Sequence, residues 1–170
     1  QWRLSEVDDG WSVMGIALAL ERGVMGGTNP AVPLLKHVLN WAETTPSKNK
    51  SLLINDALMR ERIARTAIIN QVGQLLTLRA AWIAATGGMP GVEGSMAKIY
   101  ASEEYQKVVG WFQQMAGAEG LLSFGAEDAA ASGWIDYDAR HAPVTTIYGG
   151  TSEINRNNIA ERHLGLPRSR

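Results

Sequence analysis

Thr145-Thr146-Ile147-Tyr148-Gly149-Gly150-Thr151-Ser152-Glu153-Ile154 is the stretch whose reading decides the fold, and it continues as Asn155 to Leu166. Its first four residues read as a β-type turn or a strand end. Two glycines then break the chain. A helix follows, capped by Thr151 or Ser152 and carrying Glu153 in its first turn. Glycines ahead of a capped helix leave backbone N–H groups free to meet an anion or a carbonyl oxygen. The helix carries Ile154, Asn158, Ile159 and Arg162 and is expected to stop at Gly165, with Pro167 just beyond. On pattern alone, the first reading is a loop that caps one helix of a bundle, because a glycine turn before a cap is common.

Upstream of that stretch, helical periodicity dominates. Asp8-Asp9-Gly10-Trp11 opens a helix with acidic residues at its positive end, and the helix runs to about Met25 before Gly26-Gly27. Glu21 stands on this helix with Ala17 and Leu18 one turn before it and Val24 and Met25 one turn after, so a carboxylate is set on an apolar face. Burial there raises a carboxylate's pKa or costs several kcal/mol if it stays ionised and unpaired. The alternative is a glutamate that reaches solvent or pairs with a lysine or arginine. Thr28 to Pro33 reads as a turn, Leu34 to about Thr44 as a second helix, and Thr45 to Lys50 as a polar linker. Ser51 to Thr86 reads as one helix without internal proline, about 50 Å long at 1.5 Å per residue. Leu53, Ala57, Ala64, Ile68, Val72 and Leu75 recur along it near helical spacing. Gly87 to Gly91 ends it, and a fourth helix runs from Ser95 to about Ala116, closed by Gly117-Ala118-Glu119-Gly120. Leu121 to Arg140 reads as irregular, with a short helix near Glu127 to Ala131. The expected fold is all-α: an antiparallel four-helix bundle with an extra C-terminal helix.

The 170 residues suit one domain with a proper core, and the composition (45% hydrophobic, 19% charged, net charge −1) is that of an ordinary globular chain. With no basic stripe, nucleic acid is not an expected partner. No apolar run approaches a membrane span. The absence of cysteine excludes disulfides and thiolate metal sites and fits the cytoplasm. His37, His141 and His163 lie far apart without ligand spacing, so no metal is expected.

The run IYGGTSEINRNNIAERHLGLPR, residues 147–168, resembles the C-terminal signature of the acyl-CoA dehydrogenase family. The order of features resembles that family's C-terminal domain across most of the chain: the DDGW opening, the Glu21-Arg22 pair, the GSMAKIYASE helix start (residues 94–103) and the QMAGAEGLL turn (residues 114–122). The resemblance makes residues 1–7 the expected end of a preceding β-domain and residues 8–170 the helical bundle domain. A chain starting at Gln1 is then expected to be a fragment, or one piece of a split enzyme, and inactive alone.

The resemblance implies an FAD-dependent enzyme of fatty acid or lipid metabolism that oxidises an acyl-CoA thioester to the 2-enoyl-CoA. A base takes the α-proton while the β-hydrogen leaves as hydride to the flavin. Such a base needs a carboxylate in a dry pocket with its pKa raised toward neutrality. Many members place it directly after the tyrosine of the YGGTSEI run, where this chain has Gly149. A second branch places it on the first helix, which here implies Glu21, with Arg22 beside it steadying the pocket or simply meeting solvent. Gly149 would offer its backbone N–H to the thioester carbonyl, Gly150 would complete that turn, and Tyr148 would line the acyl pocket. Thr151 and Glu153 resemble residues that meet FAD from their own subunit. Gln114, Gly117 and Ala118 resemble the turn that meets the neighbour's FAD, although Ala118 replaces a common glycine. The family's arginine-plus-Phe-Gly motif after the first helix is absent, and Gly26-Gly27-Thr28-Asn29-Pro30 stands there instead. The pattern resembles bacterial members that pair two different subunits and keep half the usual FAD sites. Expected partners are the acyl-CoA substrate, an electron-transfer acceptor protein and further subunits, in a homo- or hetero-oligomer of two or four chains. The competing reading is a non-catalytic bundle that oligomerises with a catalytic partner and supports it.

Overall fold

The computed structural model describes residues 3–27, 29–47, 49–88 and 91–168, with the side chains of residues 19–27 outside that description. Among the described residues six α-helices follow in order: α1 (Gly10–Gly27), α2 (Ala31–Thr44), α3 (Ala57–Ala85), α4 (Glu93–Ala116), α5 (Trp134–Thr145) and α6 (Ser152–Arg162). Short 3-10 turns at Leu53–Asn55, Gly117–Leu121 and Ala130–Gly133 join them. Among the described residues no strand forms; Pro46 and Leu52 make one isolated bridge. The fold is the expected all-α bundle, α1 to α4, extended by the C-terminal helices.

α4 is the central helix and packs against α3, α5, α6 and α1. Its buried residues Ala101, Tyr105, Val108, Val109 and Phe112 recur at three- and four-residue spacing, which puts them on one face. They meet Leu34, Val38 and Trp41 of α2, Met59 and Ile69 of α3 and Ile135 of α5 in one core. Each fully buried side chain of this size stabilises the fold by about 1.5–3 kcal/mol relative to exposure.

α3 does not follow the sequence reading. Its recurring apolar residues Ile68 and Leu75 point outward, 63% and 56% exposed, joined by Leu78 and Trp82. The inward face carries Thr66, Asn70 and Gly73 between Met59, Ile69 and Ala80. Asn70 explains why polar groups sit there. Its Oδ1 accepts from Asn29 Nδ2 (3.1 Å) and its Nδ2 donates to the Ala31 carbonyl (3.1 Å), while Asn29 Oδ1 accepts from the Ala31 N–H. This network pins the α1–α2 connection onto α3. A Cβ at Gly73 would sit 3.0 Å from Asn29 Nδ2, a tight contact that would press on the network. α1 likewise turns Trp11, Met14 and Leu18 outward.

Other boundaries shift for local reasons. α3 starts at Ala57 rather than Ser51, because Leu52 pairs back to Pro46 and Asp56 caps the helix by accepting from the Met59 N–H at 2.9 Å. α2 starts at Ala31, three residues early, with Pro33 in its first turn, where a missing N–H costs nothing. The segment read as irregular contains α5, and residues 145–148 form its last turn and exit rather than a strand end. α6 starts at Ser152 with Thr151 as its cap and ends at Arg162, before Gly165. Residues 3–8 form bends and a turn.

Candidate functional site

Between α5 and α6 the chain passes through two consecutive left-handed residues, Gly149 (φ 66°) and Gly150 (φ 86°), conformations that favour glycine. Thr151 then caps α6: its hydroxyl accepts from the Ile154 N–H at 3.3 Å. The Ser152 N–H crosses the turn to the Thr146 carbonyl at 3.1 Å. Among the described residues, the N–H groups of Gly149, Gly150 and Thr151 donate to no carbonyl or side chain. The turn thus offers unused donors at the positive end of a helix.

Beside it lies a cleft of roughly 560 Å³, lined by Glu103, Gln106 and Lys107 of α4, by Thr146, Ile147 and Thr151, and by Ser152, Glu153 and Arg156 of α6. Arg156 bridges to Glu103 at 2.7 Å and Lys107 to Glu104 at 2.6 Å. Gln106 Nε2 donates to the Ala142 carbonyl and Thr146 Oγ1, both at 3.3 Å, which ties the exit of α5 to α4. The Glu153 carboxyl is held below its ordinary range by its own backbone N–H and by the Thr151 hydroxyl. It therefore stays ionised at the end of α6 that favours a negative charge.

The buried sides of α4 and α6 hold unpaired polar atoms. Lys98 is 4% exposed, and its Nζ has no partner. Burial pushes the Lys98 ammonium below the ordinary lysine range, against the pull of Glu103 and Glu153. Ser152 Oγ and Asn155 Oδ1 are likewise buried without a partner. Asn155 Nδ2 serves the turn instead, reaching the carbonyls of Gly150 (2.8 Å), Thr151 (3.0 Å) and Gly149 (3.4 Å).

The structure brings Thr151 and Glu153 together in the cleft, with Gly149 buried and Gly150 half-buried beside them. Tyr148 is half-buried and outside the cleft lining, its ring 6.2 Å from His141 of α5, and burial raises its hydroxyl pKa. Gln114, Gly117 and Ala118 stand elsewhere, exposed at the far end of α4. Eight residues separate Gln114 from Gln106, about 12 Å along the helix. Gln114 lines a second cleft of roughly 710 Å³ with Trp111, Met115 and the linker into α3, where the Arg62 guanidinium stacks 4.5 Å from the Trp111 ring centre. Thr151 and Glu153 thus line one cleft and Gln114 another, while Gly117 and Ala118 line neither. Glu21 and Arg22 stand on α1, but their side chains lie outside the described residues. The neighbouring Ala17 and Leu18 are exposed in this chain.

Sequence reasoning missed Gln106, Arg156, Lys98 and Asn155. Lys98 and Asn155 are polar residues at core positions, which hydrophobic periodicity passes over. Among the described residues no group of three metal-binding side chains occurs, and no helix is long and apolar enough to cross a membrane.

Comparison with known proteins follows the same outline. The family model described as "Acyl-CoA dehydrogenase, C-terminal domain" matches residues 8–164. Acyl-CoA dehydrogenase FadE34 of Mycobacterium tuberculosis is 33% identical over 166 residues, which cover 95% of this chain and 20% of that protein. Acyl-CoA dehydrogenase FadE26 of the same organism is 25% identical over 170 residues, covering 98% of this chain and 42% of that protein. Among solved structures, the Tcur3481-Tcur3483 steroid ACAD superposes with a TM-score of 0.82 at 25% identity, over 97% of this chain and 42% of that one. The ChsE4-ChsE5 complex from Mycobacterium tuberculosis gives 0.73 at 25% identity, over 83% and 36%. The chain spans less than half the length of these relatives.

Proposed function

The chain belongs to the acyl-CoA dehydrogenase family, whose C-terminal domain it forms, and from that premise we propose that it works within an FAD-dependent enzyme converting an acyl-CoA thioester to the 2-enoyl-CoA. One observation carries the reading: the capped glycine turn holds unused N–H donors beside a polar cleft. A thioester carbonyl gains negative charge as its α-proton leaves, and fixed donors stabilise that charge better than mobile water.

The donor set suits a cofactor with both hydrogen-bond donors and acceptors. The α4–α6 cleft carries charges of both signs, the Thr151 hydroxyl and the buried, unpaired Ser152 Oγ. Thr151 and Glu153 would hold the FAD of their own subunit. Gln114, in the separate cleft at the other end of α4, and the exposed Gly117 and Ala118 just beyond it would face the FAD of a neighbour. FAD, when bound, supplies the acceptor for the β-hydrogen. Glu21 takes the α-proton, Arg22 steadies its charge, Gly149 with Gly150 receives the carbonyl oxygen, and Tyr148 lines the acyl chain.

The outward apolar residues of α3 support assembly: Ile68, Leu75, Leu78 and Trp82 form the kind of uncovered patch that drives association. A second subunit, identical or different, covers them, as the pairing in the name of the ChsE4-ChsE5 complex illustrates for that protein. The same patch favours the second reading, a supporting subunit without chemistry. Purifying the full-length protein separates the two. A yellow protein that reduces a dye with acyl-CoA, a steroid acyl-CoA included among the substrates tried, supports the enzyme; a colourless protein that only assembles supports the alternative.

A further inference from the structure

We infer that Asn155 is a positioning residue that aims two backbone donors of the glycine turn, the N–H groups of Gly150 and Thr151. Its side chain is completely buried. The two hydrogens of Nδ2 are shared among three successive carbonyls, those of Gly150 at 2.8 Å, Thr151 at 3.0 Å and Gly149 at 3.4 Å. Every peptide bond described is trans. In a trans peptide the carbonyl of one residue and the N–H of the next point in opposite directions. Drawing the Gly149 and Gly150 carbonyls toward Asn155 therefore turns the N–H groups of Gly150 and Thr151 away from α6. The next peptide obeys the same rule: the Thr151 carbonyl faces Asn155, and the Ser152 N–H points across the turn to the Thr146 carbonyl at 3.1 Å. Two left-handed glycines have many conformations open to them. The amide selects one. Space at Gly150 is matched to it as well, since a Cβ there would sit 3.1 Å from Asn155 Nδ2.

The consequence for chemistry rests on the thioester reading above: donors work on a developing charge only when held in place before it forms. The test uses the full-length protein and has two readouts. Hydrogen exchange is followed in peptides covering residues 147–154, with residues 93–116 of α4 as the control. Asn155→Asp puts a carboxylate against the three carbonyls, and Asn155→Ala removes the contact. In both, exchange in 147–154 rises about tenfold or more while 93–116 stays protected, and Asn155→Gln, which restores an amide donor, returns it to within about threefold of the parent. Unchanged exchange in 147–154 overturns the inference, as does loss of protection across 93–116 in both variants, which makes Asn155 a general packing residue. The second readout is the rate of flavin reduction by acyl-CoA, expected to fall about 10- to 100-fold in Asn155→Asp with KM moving less than about threefold. Faster exchange with an unchanged reduction rate supports the positioning role and contradicts the thioester reading of the turn.

Discussion

The Tyr105 hydroxyl of α4 donates to Asp138 Oδ1 of α5 at 2.5 Å, with both side chains buried. Burial raises the Asp138 carboxyl above its ordinary range, and the Tyr105 hydrogen bond only partly offsets this. Burial, with the hydrogen bond to Asp138, also raises the Tyr105 hydroxyl, so it remains the donor. The folded state therefore holds the Asp138 proton more tightly than the unfolded state does. That contribution is fully present below the ordinary carboxylate pKa and is lost as pH rises through the folded value. Asp138→Asn keeps the acceptor and removes the charge. Denaturant titrations at several pH values are expected to show a flatter stability curve from pH 4 to 7 and a variant at least as stable as the parent at pH 7. A variant less stable at pH 7, with its slope unchanged, shows that the ionised carboxylate is needed.

Asn70 supports a second expectation. Replacing it with alanine leaves the Asn29 amide without its acceptor and takes a second donor from the Ala31 carbonyl at the α1–α2 connection. Urea unfolding should show a loss of about 1–3 kcal/mol. A change within about 0.5 kcal/mol means that the network is carried by water or by Asn29 alone.

The sequence exposed the helices that begin and end on strong signals. Gly87 closes α3 with φ 82°, Gly117 closes α4 with φ 61°, and Thr151 caps α6. It concealed α5, because that helix buries Asp136, Asp138 and Thr145 alongside Ile135 and Ala142 and carries Pro143 inside. A helix whose inward face is half polar shows no apolar period. α3 misled for the opposite reason: its clearest apolar stripe, through Ile68 and Leu75, points outward. Periodicity reports a face removed from water, whether its cover comes from this chain or another. In the candidate site, the cap and the glycines were legible as local chemistry. The Asn155 contacts are local as well, to carbonyls four to six residues earlier, but a buried polar side chain leaves no mark in the apolar pattern. The separation of the two clefts arises only from tertiary packing.

That outward stripe gives a third expectation. In light scattering the 170-residue chain should form dimers or larger species. Leu75→Glu combined with Trp82→Glu should shift it to monomer with little change in folding, since both side chains already meet solvent in the single chain. A parent chain that stays monomeric at high concentration contradicts assembly through this face.

A fourth concerns the cofactor. The residues proposed to face FAD are dispersed, with Thr151 and Glu153 in one cleft, Gln114 in another and Gly117 and Ala118 in neither, and the arginine motif expected for the neighbour's side is absent. Titrating FAD into the chain alone should give no saturable quenching of flavin fluorescence at micromolar concentrations. Tight stoichiometric binding means that one of these clefts is a complete site.

Glu21 as the general base is the central claim, since Gly149 leaves the other base position without a carboxylate. Glu21→Gln in the full-length protein keeps size and hydrogen bonding but removes the proton acceptor, and Gly149→Glu on that background returns a carboxylate to the other base position. The most direct measurement is stopped-flow reduction of the bound flavin by acyl-CoA. The expected result for Glu21→Gln is a fall of about 10² to 10⁴-fold with FAD content and ligand binding near those of the parent. Reduction at the parent rate contradicts the claim and leaves the supporting-subunit reading as the better one.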